Sequence, residues 1–355
     1  MHPTDWTSLH GDAFAGTKAL VTGGAGFIGS HLCEALTKLG ADVVVLDDLS
    51  GTDGSWSNLD GFFKGRRIEG SILNRTLLAE ATAGCSLVFH QAAMGSVPAS
   101  VKHPRQYQKV NVEGTLNVLE AARSADSRRV LFAASSSAYG DSPTQPKTET
   151  MPALPRSPYA ATKVAGEALM QAYAISYAPG PGGRDNPSHA GPPGGLKKNS
   201  GSGPDTVCLR YFNIFGPRQN ANSAYAAVIA AFAKALLAGE RLVIYGDGEQ
   251  SRDFTHVDNA VHANLLGARA PGRLHGLPYN VAGGRQVTVN ELATGMAAAL
   301  DKASLVPEHR PERAGDVKHS LADLAAARRA FGYEPIVDFD TGLADTVAWY
   351  AARVD

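Results

Sequence analysis

The sequence predicts an α/β protein: a Rossmann-type doubly wound parallel sheet with a smaller C-terminal α/β lobe. Three observations carry this. Short apolar runs rich in Val, Leu and Ile alternate with helical patterns between residues 17 and 212. The first run opens onto three glycines, Gly23, Gly26 and Gly29. Beyond Asn213 the strict alternation loosens into short strands and turns. A length of 355 residues suits two lobes. The expected division is an N-terminal extension over 1–16, a first domain over 17–212, and a lobe over 213–355 that can interleave with it.

Residues 1–16 are polar and unpatterned, so they are expected to be frayed or loosely docked. KALVT, residues 18–22, reads as a strand. A GxxGxxG turn follows, residues 28–39 carry helical periodicity, and Gly40 suits the end of that helix. ADVVVLDD is the next strand, ending in Asp47 and Asp48. Glycines let backbone approach a pyrophosphate, and the helix N-terminus adds unpaired N–H groups and a positive dipole end. A strand before, a helix after and an acid about 20 residues on complete the context for a dinucleotide site. Asp47 would accept hydrogen bonds from the adenosine ribose hydroxyls. A carboxylate there repels a 2′-phosphate, which favours NAD over NADP. Asp48 alternatively caps a helix or turn.

RRIEGSILN reads as a third strand and turn, with Ser71 and Ile72 near the adenine. CSLVFHQAAMGSV is a fourth strand running into small residues that let a cofactor lie against the strand end. His90 lies in an apolar strand, which points to a hydrogen-bonded core histidine. Asn111 begins an amphipathic helix and is either a surface residue or a prop for the site.

The stretch from residue 131 to 163 organises the chemistry. LFAASSS is a buried strand delivering Ser135, Ser136 and Ser137 at its C-terminal end. SPYAATK then starts a helix, with Ser157 as N-cap and Pro158 at the first helical position. Tyr159 and Lys163 are four residues apart and share a face. A phenol with a pKa of about 10 needs roughly three units of depression, about 4 kcal/mol, to act as a base near neutrality. A nearby ammonium can supply part of it. By itself such a pair is ordinarily a solvated Lys beside a packed Tyr; the serines and the glycine turn give it weight.

Residues 178–204 are rich in Gly, Pro, Ser and Asn and read as a disordered surface insertion before the strand TVCLRYFN. A partner-binding role for it has no residue-level support. In the C-terminal lobe, IFGPRQ, a helix around residues 224–237, LVIYGDG, SRDFTHVDNAV and YNVAGG suggest a mixed lobe. Asn213, Arg252, Arg313 and Asp316 are its polar candidates for a cleft. Arginines suit paired phosphate contacts, although they are as commonly plain surface residues.

Composition closes off other classes. A formal net charge of -1 gives no footprint for nucleic acid or an anionic membrane, and basic pairs are too short for a polybasic tract. Cys33, Cys85 and Cys208 are far apart and form neither a disulfide framework nor a metal-ligand spacing. No apolar run is long enough to span a bilayer, and no signal-peptide core is evident. A reducing, cytoplasmic setting is expected, with no metal.

TGGAGFIGSH, the serine cluster before YG, SPYAATK, RYFNIFGPRQ and SRDFTHVDNA together resemble an extended short-chain dehydrogenase/reductase of the NAD-dependent epimerase/dehydratase family. The resemblance runs from Lys18 to Tyr350 apart from residues 178–204. Within the family the chain is most similar to UDP-sugar 4-epimerases, and QAAMGSVPASVKHP, FGPRQNANSAYAAVI and RAGDVKHS point to those acting on UDP-N-acetylglucosamine. The resemblance implies Tyr159 as base and Lys163 as the group that holds the nicotinamide ribose and lowers the tyrosine pKa. Ser135 would hydrogen-bond the sugar O4, with Ser136 beside it. It also implies cofactor contacts from Phe27 and Ile28 in the turn, Ser50 and Gly51 after the second strand, Gln91, Ala92 and Ala93 after the fourth, and Asn111 and Tyr211. Asn213, Arg252, Arg313 and Asp316 would hold the UDP, with Gly95, Ser96, Ala227, Val228, Val243 and Tyr245 completing the substrate side. Gly95 replaces a Lys of some relatives, and Ser71 an Asp beside the adenine.

Relatives that dehydrate or decarboxylate carry an acid directly after the first hydroxyl, because a leaving hydroxyl must be protonated. Here Ser136 and Ser137 follow Ser135, which favours reversible oxidation and epimerisation. Ser320 stands where relatives confined to plain hexoses resemble a bulky Tyr. It either leaves room for an N-acetyl group or caps the following helix. The expectation is interconversion of UDP-GlcNAc and UDP-GalNAc, with UDP-Glc and UDP-Gal poorer substrates. The rivals are a UDP-glucuronate 4-epimerase or decarboxylase and a non-catalytic NAD-binding sensor. Helices 111–124 and 158–177 are amphipathic and could pair in a homodimer.

Overall fold

The computed structural model describes residues 4–178, 203–221, 228–312 and 318–353. Its main sheet follows from strands whose side chains are apolar on both faces. These are β1 (Lys18–Thr22), β2 (Asp42–Asp47), β3 (Arg66–Glu69), β4 (Leu87–His90), β5 (Arg129–Ser135) and β6 (Asp205–Tyr211). Ala19, Val21, Val43, Val45, Phe89 and Leu131 face one helical layer; Leu20, Val44, Leu46, Val88, Val130 and Phe132 face the other. That double burial is what permits an all-parallel sheet.

The helices interleave with these strands. A short α1 (Trp6–His10) precedes β1; α2 (Phe27–Lys38) joins β1 to β2 and α3 (Arg75–Thr82) joins β3 to β4. After β4 come α4 (Val97–Lys102), α5 (Pro104–Tyr107), one π-helical turn at Gln108–Glu113 and α6 (Gly114–Ser124). After β5 comes α7 (Pro158–Ser176), with Ser157 Oγ accepting from the Ala160 amide at 3.1 Å and Pro158 in the first turn. The second half carries β7 (Ile214–Phe215), α8 (Val228–Leu237), β8 (Val243–Tyr245), β9 (Ser251–Asp253), β10 (Thr255–His256) and α9 (Val257–Arg269). It ends with β11 (Pro278–Val281), β12 (Gln286–Thr288), α10 (Val289–Ala299), β13 (Glu308–Arg310), α11 (Ala325–Phe331) and α12 (Phe339–Ala351).

Among the described residues the main sheet has seven strands in the order β11-β6-β5-β4-β1-β2-β3. The order reverses between β1 and β4, so a crevice opens at their carboxyl ends, where ligands of such sheets bind. Register brings Thr22 beside His90 and Ser135 beside Tyr211. A second core of Phe215, Phe232, Leu236, Ile244, Phe254, Leu292, Met296 and Leu343 gathers the short strands with α8, α10 and α12.

Three expectations need correction. The N-terminal extension is not frayed: Asp5 caps α1, accepting from the Ser8 amide at 3.0 Å, and Trp6 and Phe14 are buried in the main core. Two aromatics eight positions apart give no period to read, yet each removes a large apolar surface from water. YNVAGG does not belong to the smaller lobe; its strand β11 pairs in parallel with β6. The helix read from Asn111 begins with the π turn and becomes α-helical only at Gly114. The 178–204 insertion falls almost wholly outside the described residues, as do Ala227, Arg313 and Asp316.

Candidate active site

The glycine turn is built by close approach. A Cβ on Gly23 (φ 70°) would lie 2.6 Å from the Ala92 amide nitrogen, and one on Gly29 would lie 2.0 Å from the Gly23 carbonyl oxygen. Gly26 is the N-cap of α2 and has no side chain to satisfy the first-turn amides of Phe27, Ile28 and Gly29. Those amides therefore face the crevice with a positive helix end behind them. Asp47 is buried beside the turn; its carboxylate accepts from the amides of Ala25 at 2.9 Å and Leu49 at 2.8 Å. Each oxygen retains a lone pair for a ribose hydroxyl. Burial pushes the Asp47 carboxyl above its ordinary value, and the amides oppose that. Exposed Asp48 accepts from the amide and hydroxyl of Ser50, at 3.1 and 2.5 Å, so it caps the turn before Gly51.

Across the crevice, Gln91, Ala92 and Ala93 leave β4. The Gln91 amide donates to the Tyr211 phenol at 3.3 Å, and Asn264 on α9 donates to the same oxygen at 2.6 Å. Asn111 is buried: it accepts from the Met94 amide at 2.8 Å and donates to the Met94 carbonyl and to Thr162 Oγ1, at 3.1 and 3.0 Å. It is the prop rather than the surface residue, and the π turn that orients it is a common device at functional sites. Ser71 accepts from the Leu73 amide at 3.3 Å, while Ile72 is buried against Gly114. His90 is a core histidine, bonded to Thr22 at 2.8 Å and Thr115 at 3.0 Å; burial, with Lys163 nearby, pushes it down to about 3.

Ser135, Tyr159 and Lys163 converge at the end of β5. Ser135 lies near enough to the Tyr159 phenol to pull its pKa down. Lys163 is buried, donates to the Ala133 carbonyl at 2.7 Å and lies 6.0 Å from the Tyr159 ring centroid. Burial holds Lys163 down to about 8, opposed by Glu167 one turn on. Burial holds Tyr159 above its ordinary value, with nearby Ser135 pulling it down and Tyr107 pushing it up. The ammonium gives one of its three N–H groups to the strand carbonyl.

On the substrate side, Ser96 caps α4 and its carbonyl accepts from Tyr107 Oη at 2.7 Å; beside it, a Cβ on Gly95 would meet open space. Asn213 (φ 38°) donates to the Asp253 carbonyl at 3.0 Å. Arg252 donates to the carbonyls of Ser251 and Lys318, at 3.0 and 3.3 Å. The Ser320 amide donates to the Ser251 carbonyl at 3.1 Å. Ser320 caps no helix, because α11 begins only at Ala325. Val228, Val243 and Tyr245 lie on α8 and β8 along the second core. Sequence reasoning passed over Thr162, Asn264 and Tyr107. Their contacts cross between elements, so no local pattern announces them. Among the described residues no cluster of three His, Cys, Asp or Glu could hold a metal, and no helix is long and apolar enough to cross a membrane.

Comparison with known proteins gives a consistent picture. Residues 19–282 match the NAD dependent epimerase/dehydratase family. The chain is 37% identical over 342 residues to a UDP-glucose 4-epimerase of Mycolicibacterium smegmatis, covering 94% of this chain and 98% of that one. It is 30% identical to a UDP-N-acetyl-alpha-D-glucosaminuronate decarboxylase of Bacillus cytotoxicus, over 94% of this chain and 97% of that one. Among solved structures, the UDP-N-acetylglucosamine 4-epimerase of Methanobrevibacter ruminantium M1, in complex with UDP-N-acetylmuramic acid, superposes with a TM-score of 0.84. Its identity is 36%, over 96% of this chain and all of that one.

Proposed function

The chain belongs to the NAD dependent epimerase/dehydratase family, and from that premise we propose that it inverts C4 of UDP-hexoses, with UDP-GlcNAc and UDP-GalNAc as its preferred pair. UDP-Glc and UDP-Gal are the poorer pair. The observation that carries this reading is the serine cluster. Ser135 lies beside the Tyr159 phenol, and only hydroxyls follow it at 136 and 137, with no carboxylic acid to expel a sugar hydroxyl.

NAD is the family's cofactor, and the residues fit it: the uncapped start of α2 for the pyrophosphate, Asp47 for the adenosine ribose, Lys163 for the nicotinamide ribose. When bound, it supplies a reversible acceptor for the C4 hydrogen. Tyr159 takes the O4 proton and later returns it. Ser135 donates a hydrogen bond to O4 as it becomes a carbonyl oxygen. Between the two transfers the 4-keto sugar must turn over, so the protein holds UDP firmly and the hexose loosely. Arg252 and Asn213 serve the UDP, as do Arg313 and Asp316. Ser320 and the open space at Gly95 leave volume for an acetamido group. The similarity to an epimerase that binds a bulkier UDP-sugar, UDP-N-acetylmuramic acid, supports a roomy pocket. We also propose a homodimer through α6 and α7, supported by Leu116 at 37% and Ile175 at 61% exposure.

The test is incubation of purified protein with UDP-GlcNAc and no added cofactor. UDP-GalNAc at unchanged mass is the expected product and implies NAD retained through purification. Release of carbon dioxide from UDP-glucuronate, without conversion of UDP-GlcNAc, would overturn the substrate assignment.

A further inference from the structure

Ser137 lies two residues beyond Ser135, in the short 3₁₀ turn that follows β5. Its amide and its hydroxyl both reach the same atom, Ser135 Oγ, at 3.2 and 2.9 Å. A serine oxygen has two acceptor lone pairs and one proton. With both lone pairs filled by Ser137, Ser135 can only donate, and its hydroxyl lies near enough to the Tyr159 phenol to bear on its titration. We propose that Ser137 is a positioning residue that converts Ser135 into a one-way hydrogen-bond donor aimed at the phenol oxygen of Tyr159 and at the sugar O4.

The consequence is directional. Before proton transfer the base is a phenolate and the sugar O4 a hydroxyl, so the phenolate is the oxygen that needs a donor. Once Tyr159 has taken the O4 proton and the C4 hydrogen has left, they are a phenol and a carbonyl oxygen, and the carbonyl oxygen needs one. A donor fixed in advance holds the phenolate ready and then meets the charge that develops on O4 in the transition state. The titratable groups that face the phenol from the packed elements are Tyr107 on α5 and Lys163 on α7 itself; β5 and its turn present neutral hydroxyls. Ser137 therefore acts without adding charge. Released from Ser137, the Ser135 hydroxyl is free to rotate and accept.

This rests on Tyr159 being the base. The test compares Ser137→Ala with Ser137→Thr, which keeps the hydroxyl. In Ser137→Ala, kcat should fall roughly tenfold and the acid limb of its pH profile should move up by about one unit, with KM changed less than about twofold. Ser137→Thr should return both. An acid limb that stays put in folded Ser137→Ala, or a Ser137→Thr protein as impaired as Ser137→Ala, overturns the inference. A second readout is independent of turnover: the near-ultraviolet phenolate absorbance that disappears in Tyr159→Phe. Its titration should move to higher pH in Ser137→Ala even if no UDP-sugar is converted, and an unmoved titration overturns the inference. Absence of conversion by the wild type overturns only the proposed function.

Discussion

Replacing Gly29 by Ala should cost the protein its cofactor before it costs its fold. A Cβ at this position would stand 2.0 Å from the Gly23 carbonyl oxygen and 2.8 Å from Gly24 Cα, against a floor near 3.0 Å for real Cβ contacts. Both neighbours are backbone, so no side chain can swing aside. The start of α2 must draw back by about 1 Å. An N–H group that bonded a pyrophosphate oxygen at about 2.9 Å would then stand near 3.9 Å, beyond bonding range. Two such charge-assisted bonds at about 1.5 kcal/mol each amount to roughly 3 kcal/mol, or about a hundredfold in affinity. The assay is calorimetric titration of NAD into cofactor-stripped protein, with the NAD content of the purified sample as a second measure. Gly272→Ala, where a Cβ meets nothing within 4 Å, is the control and should bind as the wild type does. Gly29→Ala protein that binds NAD within threefold of the wild type, at unchanged melting temperature, would refute the reasoning.

Other expectations follow from the same geometry. Tyr159→Phe should lower kcat by about 10²–10⁴-fold with little change in KM; steady-state kinetics with both UDP-sugar pairs checks it, and a loss below tenfold would point to another base. Ser320→Tyr should spare UDP-Glc turnover and abolish that of UDP-GlcNAc, whereas equal loss of both would end the idea that this residue sets pocket size. Lys163, held down to about 8 by burial, resists protonation in the fold, which costs stability below that pH. The cost is relieved as pH rises towards the unfolded value near 10.4. The unfolding free energy of the wild type relative to Lys163→Met should therefore climb with pH over that window, by up to about 1.4 kcal/mol per unit. Denaturant melts at several pH values measure it, and a flat or falling difference contradicts a buried amine.

What the sequence makes legible is what depends on local order. The glycine turn, Asp47 and the Ser157–Pro158 start of α7 each declare themselves within a few residues, because backbone sterics and capping are short-range. Contacts that close over long separations leave no such trace. Asn111 reads equally as surface or prop until α6 is packed against α7 and Thr162 comes within 3.0 Å. Ser320 reads as a cap until α11 is found to start at Ala325. Trp6 and Phe14 look incidental in a polar lead, but they find a ready-made hollow against the helical layer of the sheet. Lys163 is the instructive case. Spacing brings it to the tyrosine's face of the helix, but its bond to the Ala133 carbonyl of β5, thirty residues back, is set by how the helix packs on the sheet.

The edge taken by β11 bears on how the protein is made. Phe212, at the end of β6, donates its amide to Val281, and Gly276 donates to Thr206, so this flank is stitched by a strand from far downstream. A nascent chain cannot finish the sheet until residue 281 has left the ribosome. Until then one side of β6 offers an open row of donors and acceptors to any passing strand. Synthesis that stalls within the second lobe would thus release not a shortened but functional first half but an adhesive one, and the two halves have to be born as one folding unit.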